Sequence, residues 1–220
     1  MTSLTSDFHM KSILLDLQYL PPVAYFAAIK QADEVWIEAN ENFVKQTYRN
    51  RCKILSTHGV QDLSIPVHHA GKKILIRDLT IDHKQKWMNT HWRAIQSAYG
   101  KSPFFDYYAD EIEQVILSKS ENLFDLNWQL LSICLKYLNL SQKPVFLTKS
   151  YTKTPENGVV DLRSVIHPKK PAPVWFREVP YHQIFGEEFV PNLTILDLLF
   201  CEGPGADVLL GQSCVKDSTK

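Results

Sequence analysis

The stretch of sequence that decides the fold is ILLDLQYLPPVAYFAAIKQADEVWIE, at residues 13–38. Its apolar run at 13–17 predicts a β-strand, and the two prolines that follow end this strand because proline has no backbone N–H for a strand ladder. Residues 23–31 are typical of a short helix, and residues 35–38 predict a second strand. A strand, a helix and a strand in this order begin a βαβ unit.

Units of this kind bind ligands at the carboxyl ends of their parallel strands. In this chain those ends lie at residues 16–22 and 38–45, so we expect a site there. The expected fold is a single α/β domain at residues 11–205, with a mostly parallel sheet and with flexible termini at 1–10 and 206–220.

The remainder of the chain predicts more strands and a helical middle region. Residues 51–67 are typical of a β-hairpin, and residues 85–139 predict a three-helix region on or beside the sheet. Further strands are expected at 74–82, 145–147 and 174–179, and the last two of these join the parallel sheet.

Two later segments predict a long loop and a short helix. Residues 151–173 are rich in Pro, Lys and Thr and predict a long loop. A short helix is expected at residues 194–200, where Thr194 and Asp197 have the spacing of a capping box. We favour that role for Asp197, and a carboxylate in a binding site is the alternative.

Composition and charge exclude several classes of protein. The 24 basic and 24 acidic residues give a formal net charge of zero, so we expect no nucleic-acid partner. No apolar run has the roughly 18–20 residues of a membrane-spanning helix, and residues 1–10 lack the pattern of a signal peptide, which favours a cytoplasmic location. The cysteines form no CxxC pair and the histidines no HxxxH spacing, so no metal site is expected.

His91 is the candidate general base. It shares one helical stripe with Trp87, Ile95 and Tyr99, so its ring is expected to point inward, and imidazole exchanges protons near neutral pH. The alternative is a buried histidine that hydrogen-bonds a backbone carbonyl.

Other polar side chains are candidates for substrate binding. Lys45, Asn50 and Arg51 follow the second strand, where cations can hold a carboxylate or phosphate, although a solvated surface is the commoner fate of such residues. Asn127 lies inside a predicted helix, and Tyr181 and Gln183 are flanked by aromatic residues. The chain has neither a P-loop nor a GxGxxG motif.

Several segments together resemble the WbqC-like protein family. The resemblance runs from about residue 13 to about residue 205 and rests on the order of its motifs. They are Gln18-Tyr19-Leu20-Pro21-Pro22, Leu63-Ser64-Ile65-Pro66-Val67, Trp87-x-x-x-His91, Asp125-Leu126-Asn127, Tyr181-x-Gln183, and Pro191-Asn192-Leu193-Thr194-Ile195-Leu196-Asp197-Leu198-Leu199-Phe200.

This resemblance implies a transferase of bacterial surface-polysaccharide (O-antigen) synthesis that adds glycine or another small acyl group to an amino sugar. Its partner would be a small-molecule substrate, such as a nucleotide sugar or an amino acid donor, and no cofactor is identified. A non-catalytic binding or scaffold protein and a nucleotide-activating α/β enzyme are the alternatives. The segment at 140–180 is shorter than in longer members of the family, and many members have Asn where this chain has Cys201.

A transferase predicts that the polar candidates meet in one pocket. In that hypothesis His91 removes a proton from the attacking amine or hydroxyl, and Lys45 and Arg51 neutralise an anionic group, as catalytic residues. The residues expected to bind substrate are Gln18, Tyr19, Asn50, Asn127, Tyr181, Gln183 and Asp197. A scaffold protein predicts that the same residues scatter over the surface.

Overall fold

The structure, a computed structural model, describes residues 9–68 and 73–214. Strand β1 spans Met10–Asp16, helix α1 spans Val23–Gln31 and strand β2 spans Ala32–Glu38. The two strands pair in parallel, with Ile13 opposite Val35. This arrangement confirms the predicted βαβ unit.

The other elements complete an α/β domain. They are β3 (Arg51–Ser56), β4 (Gly59–Ser64), α2 (Trp87–Tyr99), α3 (Phe105–Leu117), α4 (Leu123–Tyr137), β5 (Val145–Leu147), β6 (Val159–Asp161), α5 (Ile195–Glu202) and α6 (Ala206–Gln212). Four strands form one parallel sheet in the order β5-β2-β1-β6, and β3 and β4 form an antiparallel hairpin. The expected single α/β domain with a parallel sheet is therefore confirmed.

Helix α1 is buried on all sides. Every residue from Val23 to Ile29 has no exposed surface, because the sheet covers one side of the helix and α5 and α6 pack against it from other directions. A helix in this position needs apolar residues around its whole circumference, which its sequence provides. Helix α3 packs against both α2 and α4, and α2 packs on the hairpin strand β3, so the three-helix region lies beside the sheet.

Three sequence predictions were wrong in this part of the fold. Residues 174–179 form no strand, because four prolines from Pro168 to Pro180 remove backbone donors around them. The fourth sheet strand is β6, which lies inside the segment predicted to be a loop and has too few residues to show an alternating pattern. The segment at 74–82 contains a short 3₁₀ turn at Ile76–Asp78 instead of a strand.

The expected flexible segment at 206–220 also needs a correction. Residues 206–212 form helix α6, which buries Ala206 and Leu210 against the domain. Residues 1–8 and 215–220 lie outside the described residues. Among the described residues, no helix combines the length and the apolar character that crossing a membrane requires.

Candidate functional site

Polar side chains meet where the parallel strands end. Asp16 ends β1, Glu38 ends β2, Asp161 ends β6, and Thr148 follows β5. Because the carboxyl ends of parallel strands share one edge of a sheet, these four side chains lie along that edge. Asp16 and Glu38 are almost completely buried, so their charges need partners inside the protein.

Arg49 pairs with Asp16 and with a further buried acid, Glu41, from the segment after β2. Its guanidinium donates to both carboxylate oxygens of Glu41 at 2.7 Å, and its Nη1 lies 3.2 Å from Oδ2 of Asp16. The Arg49 side chain is 1% exposed. Burial raises the pKa of Glu41, and the hydrogen bonds from Arg49 oppose that shift. The three residues therefore form a buried ion-pair cluster in which Arg49 partly offsets the two carboxylate charges.

Arg163 pairs with Glu38 and Asp161. Its guanidinium donates to Asp161 at 2.7 and 3.0 Å and to Glu38 at 3.0 Å, and it also donates to the backbone carbonyls of Thr152 and Lys153. Glu38 in turn accepts a 2.6 Å hydrogen bond from the Thr148 hydroxyl. The hydrogen bonds to Asp161 are the main reason that the pKa of Arg163 is raised above its ordinary value.

Two open clefts share the segment 41–46, which follows β2 and contributes residues to both. The first, which we name the cationic cleft, has a volume of about 270 Å³. It is lined by Phe43, Lys45, Gln46, Asn50, Arg51, Ile65, Pro66 and Val67. The second, which we name the tyrosine cleft, has a volume of about 390 Å³. It is lined by Glu41, Asn42, Val44, Tyr151, Lys153, Asp161, Arg163 and Ser164.

The cationic cleft contains the three candidates predicted after β2, namely Lys45, Asn50 and Arg51. Its described lining has two cations and no carboxylate. Asn50 Nδ2 donates to the backbone oxygen of Ile65 at 2.8 Å, while its Oδ1 has no partner among the described residues. Nε of Arg51 is likewise buried and without a hydrogen-bond acceptor in the described ranges. The side chain of Lys169, a third cation, donates to Gln46 at the rim.

His91 and Tyr19 form a buried pair that lines neither cleft. The Tyr19 hydroxyl lies 3.0 Å from Nδ1 of His91, and the His91 ring also hydrogen-bonds the backbone of Ser64. Burial lowers the pKa of His91 to about 4, so the ring is neutral at physiological pH. Trp87 packs its ring edge-on at 5.2 Å, in the stripe that the sequence predicted. These contacts resemble the alternative stated for His91, a buried histidine that hydrogen-bonds the backbone.

Gln18 and Asn127 join the buried cluster around Arg49. Gln18 Nε2 donates to Asp16 at 3.1 Å and to the backbone oxygen of Ile166 at 3.2 Å. Asn127 Nδ2 donates to the backbone oxygen of Arg49 at 2.8 Å. Both amides are completely buried, so they hold the loops around the clefts rather than line them.

Asp197 is the centre of a separate buried group. Its Oδ2 accepts hydrogen bonds from the Tyr181 hydroxyl at 2.7 Å and from Gln183 Nε2 at 2.9 Å. The predicted capping box was wrong, because the Thr194 hydroxyl donates to the backbone oxygen of Leu20 and makes no cap bond to α5. None of these side chains lines either open cleft.

The predicted candidates thus fall into four places. This is neither the single pocket expected of a transferase nor the surface scatter expected of a scaffold protein, because six of the ten candidates are buried. Four residues that organise the edge of the sheet were not among the predicted site residues, namely Glu38, Glu41, Arg49 and Arg163. Glu38 could have been identified from the sequence, because it ends the second strand of the βαβ unit, where a site was expected. Arg49 and Glu41 lie in an irregular segment, and Arg163 lies in the predicted loop, so periodicity could not identify them. No group of three or more His, Cys, Asp or Glu side chains suited to a metal occurs within residues 9–68 and 73–214.

Comparisons with known proteins agree with the sequence resemblance. A model of the WbqC-like protein family matches residues 18–167. The chain is also 31% identical over 135 residues to the uncharacterized protein Rv1507c of Mycobacterium tuberculosis, which covers 60% of this chain and 58% of that protein. The chain therefore matches a little over half the length of this relative. No solved structure matches the chain.

Proposed function

The chain belongs to the WbqC-like protein family, and we propose that it is a transferase of bacterial surface-polysaccharide synthesis whose substrate has a phosphate or carboxylate group bound in the cationic cleft. The family resemblance supports the class of reaction, namely transfer of glycine or another small acyl group to an amino sugar. The observation that carries the ligand chemistry is the lining of the cationic cleft. Lys45, Asn50 and Arg51 meet there without a carboxylate among the described lining residues.

The chemistry of these three side chains suits an anion. A guanidinium forms strong, directional hydrogen bonds to phosphate and carboxylate oxygens, and an ammonium adds a second positive charge. Arg51 has a buried Nε–H without an acceptor in the described parts of the chain. A buried donor without a partner costs free energy, and an anionic ligand that reached this N–H would remove that cost by accepting a hydrogen bond from it.

The buried cluster behind the cleft gives the site its rigidity. Arg49, next to Asn50, is held by Glu41 and Asp16, so the segment that supports the cleft has little freedom to move. A site held in its binding geometry loses less entropy when a ligand binds. In this proposal His91 takes no part in proton transfer, because its ring is buried and hydrogen-bonded, and because its pKa is lowered to about 4.

Thermal unfolding with a ligand panel tests the proposal. The panel contains inorganic phosphate, glucose 1-phosphate, nucleotide sugars, glycine, and ATP with magnesium. A ligand at 100 times its dissociation constant adds about 2.7 kcal/mol to the free energy of unfolding, which corresponds to a rise of roughly 5–10 °C in the midpoint. We expect phosphate-bearing or carboxylate-bearing members to give this rise.

Matched variants assign the effect to the cleft. Lys45→Ala and Arg51→Ala should lose the rise, whereas Lys101→Ala and Arg93→Ala, which change exposed cations outside both clefts, should keep it. The proposal is wrong if no anionic member shifts the midpoint, or if the two pairs of variants respond alike.

A further inference from the structure

We propose that the tyrosine cleft binds a neutral sugar ring. This inference rests on the proposed function, because it assigns the sugar part of a transferase substrate to a place beside the anion site. Three observations on the cleft support it. The charges of the lining residues balance, every N–H group of the Arg163 guanidinium is already hydrogen-bonded, and the aromatic ring of Tyr151 is exposed.

The charge of the tyrosine cleft is balanced, unlike that of the cationic cleft. Its charged lining residues are two acids, Glu41 and Asp161, and two cations, Lys153 and Arg163. Glu41 is already paired with Arg49, and Asp161 is paired with Arg163. A cleft with no net charge in its described lining offers little attraction to an anion and favours a neutral, polar ligand.

Arg163 cannot serve as an anion receptor because its donors are occupied. A guanidinium has five N–H groups. In this structure Arg163 makes five hydrogen bonds to other residues, namely two to the Asp161 carboxylate, one to Glu38 and two to backbone carbonyls at 152 and 153. The arginine is therefore part of the framework of the cleft, and it fixes the segment that carries Tyr151.

Tyr151 provides a flat apolar surface on this framework. The guanidinium carbon of Arg163 lies 5.1 Å from the centre of the Tyr151 ring and covers one of its faces. Tyr151 is still 53% exposed, so the contact with Arg163 leaves room for a ligand on this residue. The face of an aromatic ring carries partial negative charge, so it attracts the weakly positive C–H groups on one side of a sugar ring.

Polar groups around the tyrosine match the hydroxyls of a sugar. Asn42 and Ser164 supply both donors and acceptors, and Lys153 supplies a further donor. Asp161 keeps acceptor capacity after pairing with Arg163, because each carboxylate oxygen has two lone pairs and its side chain is 33% exposed. An apolar platform with a few convergent polar groups is the usual composition of a small-molecule site.

Ligand-observed NMR with a neutral glycoside tests this inference. The probes are methyl α-glucopyranoside and methyl N-acetyl-β-glucosaminide, which carry no charge, and inorganic phosphate is titrated separately. We expect at least one glycoside to bind the wild-type protein. Tyr151→Ala should weaken that binding about tenfold, the effect of losing an aromatic stacking contact, and should leave phosphate binding unchanged.

Two control variants separate stacking from other effects. Tyr151→Phe keeps the ring and should bind the glycoside with an affinity within about twofold of wild type, since the ring face is the proposed contact. Tyr107→Ala removes another exposed tyrosine, outside both clefts, and should have no effect. The inference is overturned if neither glycoside binds at tens of millimolar, or if Tyr151→Ala and Tyr107→Ala behave alike. Phosphate binding without glycoside binding would refute this inference alone, whereas the reverse result would refute the anion site of the proposed function.

Discussion

Replacing Arg49 by methionine is the most informative test of the buried framework. Arg49 is 1% exposed and compensates the charges of Asp16 and Glu41 at 3.2 and 2.7 Å. Methionine has a similar length but no charge, so the variant leaves two buried carboxylates facing each other. Removing one partner of a buried ion pair costs about 3–5 kcal/mol. For a domain of this size that loss corresponds to a fall of roughly 6–20 °C in the midpoint of thermal unfolding.

The pH dependence of the stability of the Arg49→Met variant gives a second, independent test of the charge compensation by Arg49. Burial already raises the pKa of Glu41 in the folded state, and without the opposing hydrogen bonds from Arg49 this pKa should rise further above its value in the unfolded chain. A carboxyl group whose pKa is higher in the folded state than in the unfolded chain destabilises the fold progressively as the pH rises from the unfolded-state pKa to the folded-state pKa. The loss of stability relative to wild type should therefore be smaller at pH 5 than at pH 8.

Urea unfolding followed by circular dichroism at both pH values measures these effects. Arg93→Met is the matched control, because Arg93 is exposed on α2, and its free energy of unfolding should stay within about 0.5 kcal/mol of wild type. A loss below about 1 kcal/mol for Arg49→Met, equal at the two pH values, would refute a compensating buried cluster at the sheet edge.

Three further predictions concern single residues away from the clefts. Burial raises the pKa of Glu178 to about 8, so the contribution of this group to stability should fall as the pH rises from about 4.5 to 8. In urea titrations Glu178→Gln should therefore gain stability relative to wild type across that range, by up to about 1.4 kcal/mol per pH unit. Burial lowers the pKa of His91 to about 4, so the contribution of this ring has the opposite slope and falls as the pH drops from about 6.5 to 4. His91→Gln should therefore gain stability relative to wild type as the pH falls through that range. Gly203→Ala places a Cβ 2.5 Å from the Phe104 ring at a φ of +52° and should cost more than about 2 kcal/mol, whereas Gly158→Ala, at a φ of +91° with open space, should cost only its backbone strain of about 1–2 kcal/mol. Equal losses for the two alanine variants in a thermal scan would contradict the steric reasoning.

The regular part of the fold was predictable because local patterns dictate it. The apolar runs of β1 and β2 and the two prolines between them define the βαβ unit without any distant contact. The helical stripe through His91 likewise placed its ring inward, as found. Strand β6 escaped prediction because its three residues form a strand only by pairing with β1, and a pairing partner far along the chain leaves no periodic signal.

The site was only partly predictable for a related physical reason. Lys45, Asn50 and Arg51 are close in sequence, so their common cleft follows from one local segment. Tyr181 and Gln183 have equally suggestive neighbours, yet they bond the buried Asp197, a contact that only the tertiary structure reveals. Whether a polar side chain binds a ligand or another residue of the protein depends on which distant residues the tertiary structure places next to it.

The central claim is that the cationic cleft binds an anion. Isothermal titration of wild-type protein and of the Lys45→Ala/Arg51→Ala double variant with glucose 1-phosphate tests it most directly, with Lys101→Ala/Arg93→Ala as the control. Losing a hydrogen bond to a charged group costs about 1.5–3 kcal/mol, so the double variant should bind at least about tenfold more weakly than wild type and the control. Equal affinities for all three proteins, or no binding to wild type, would contradict the claim.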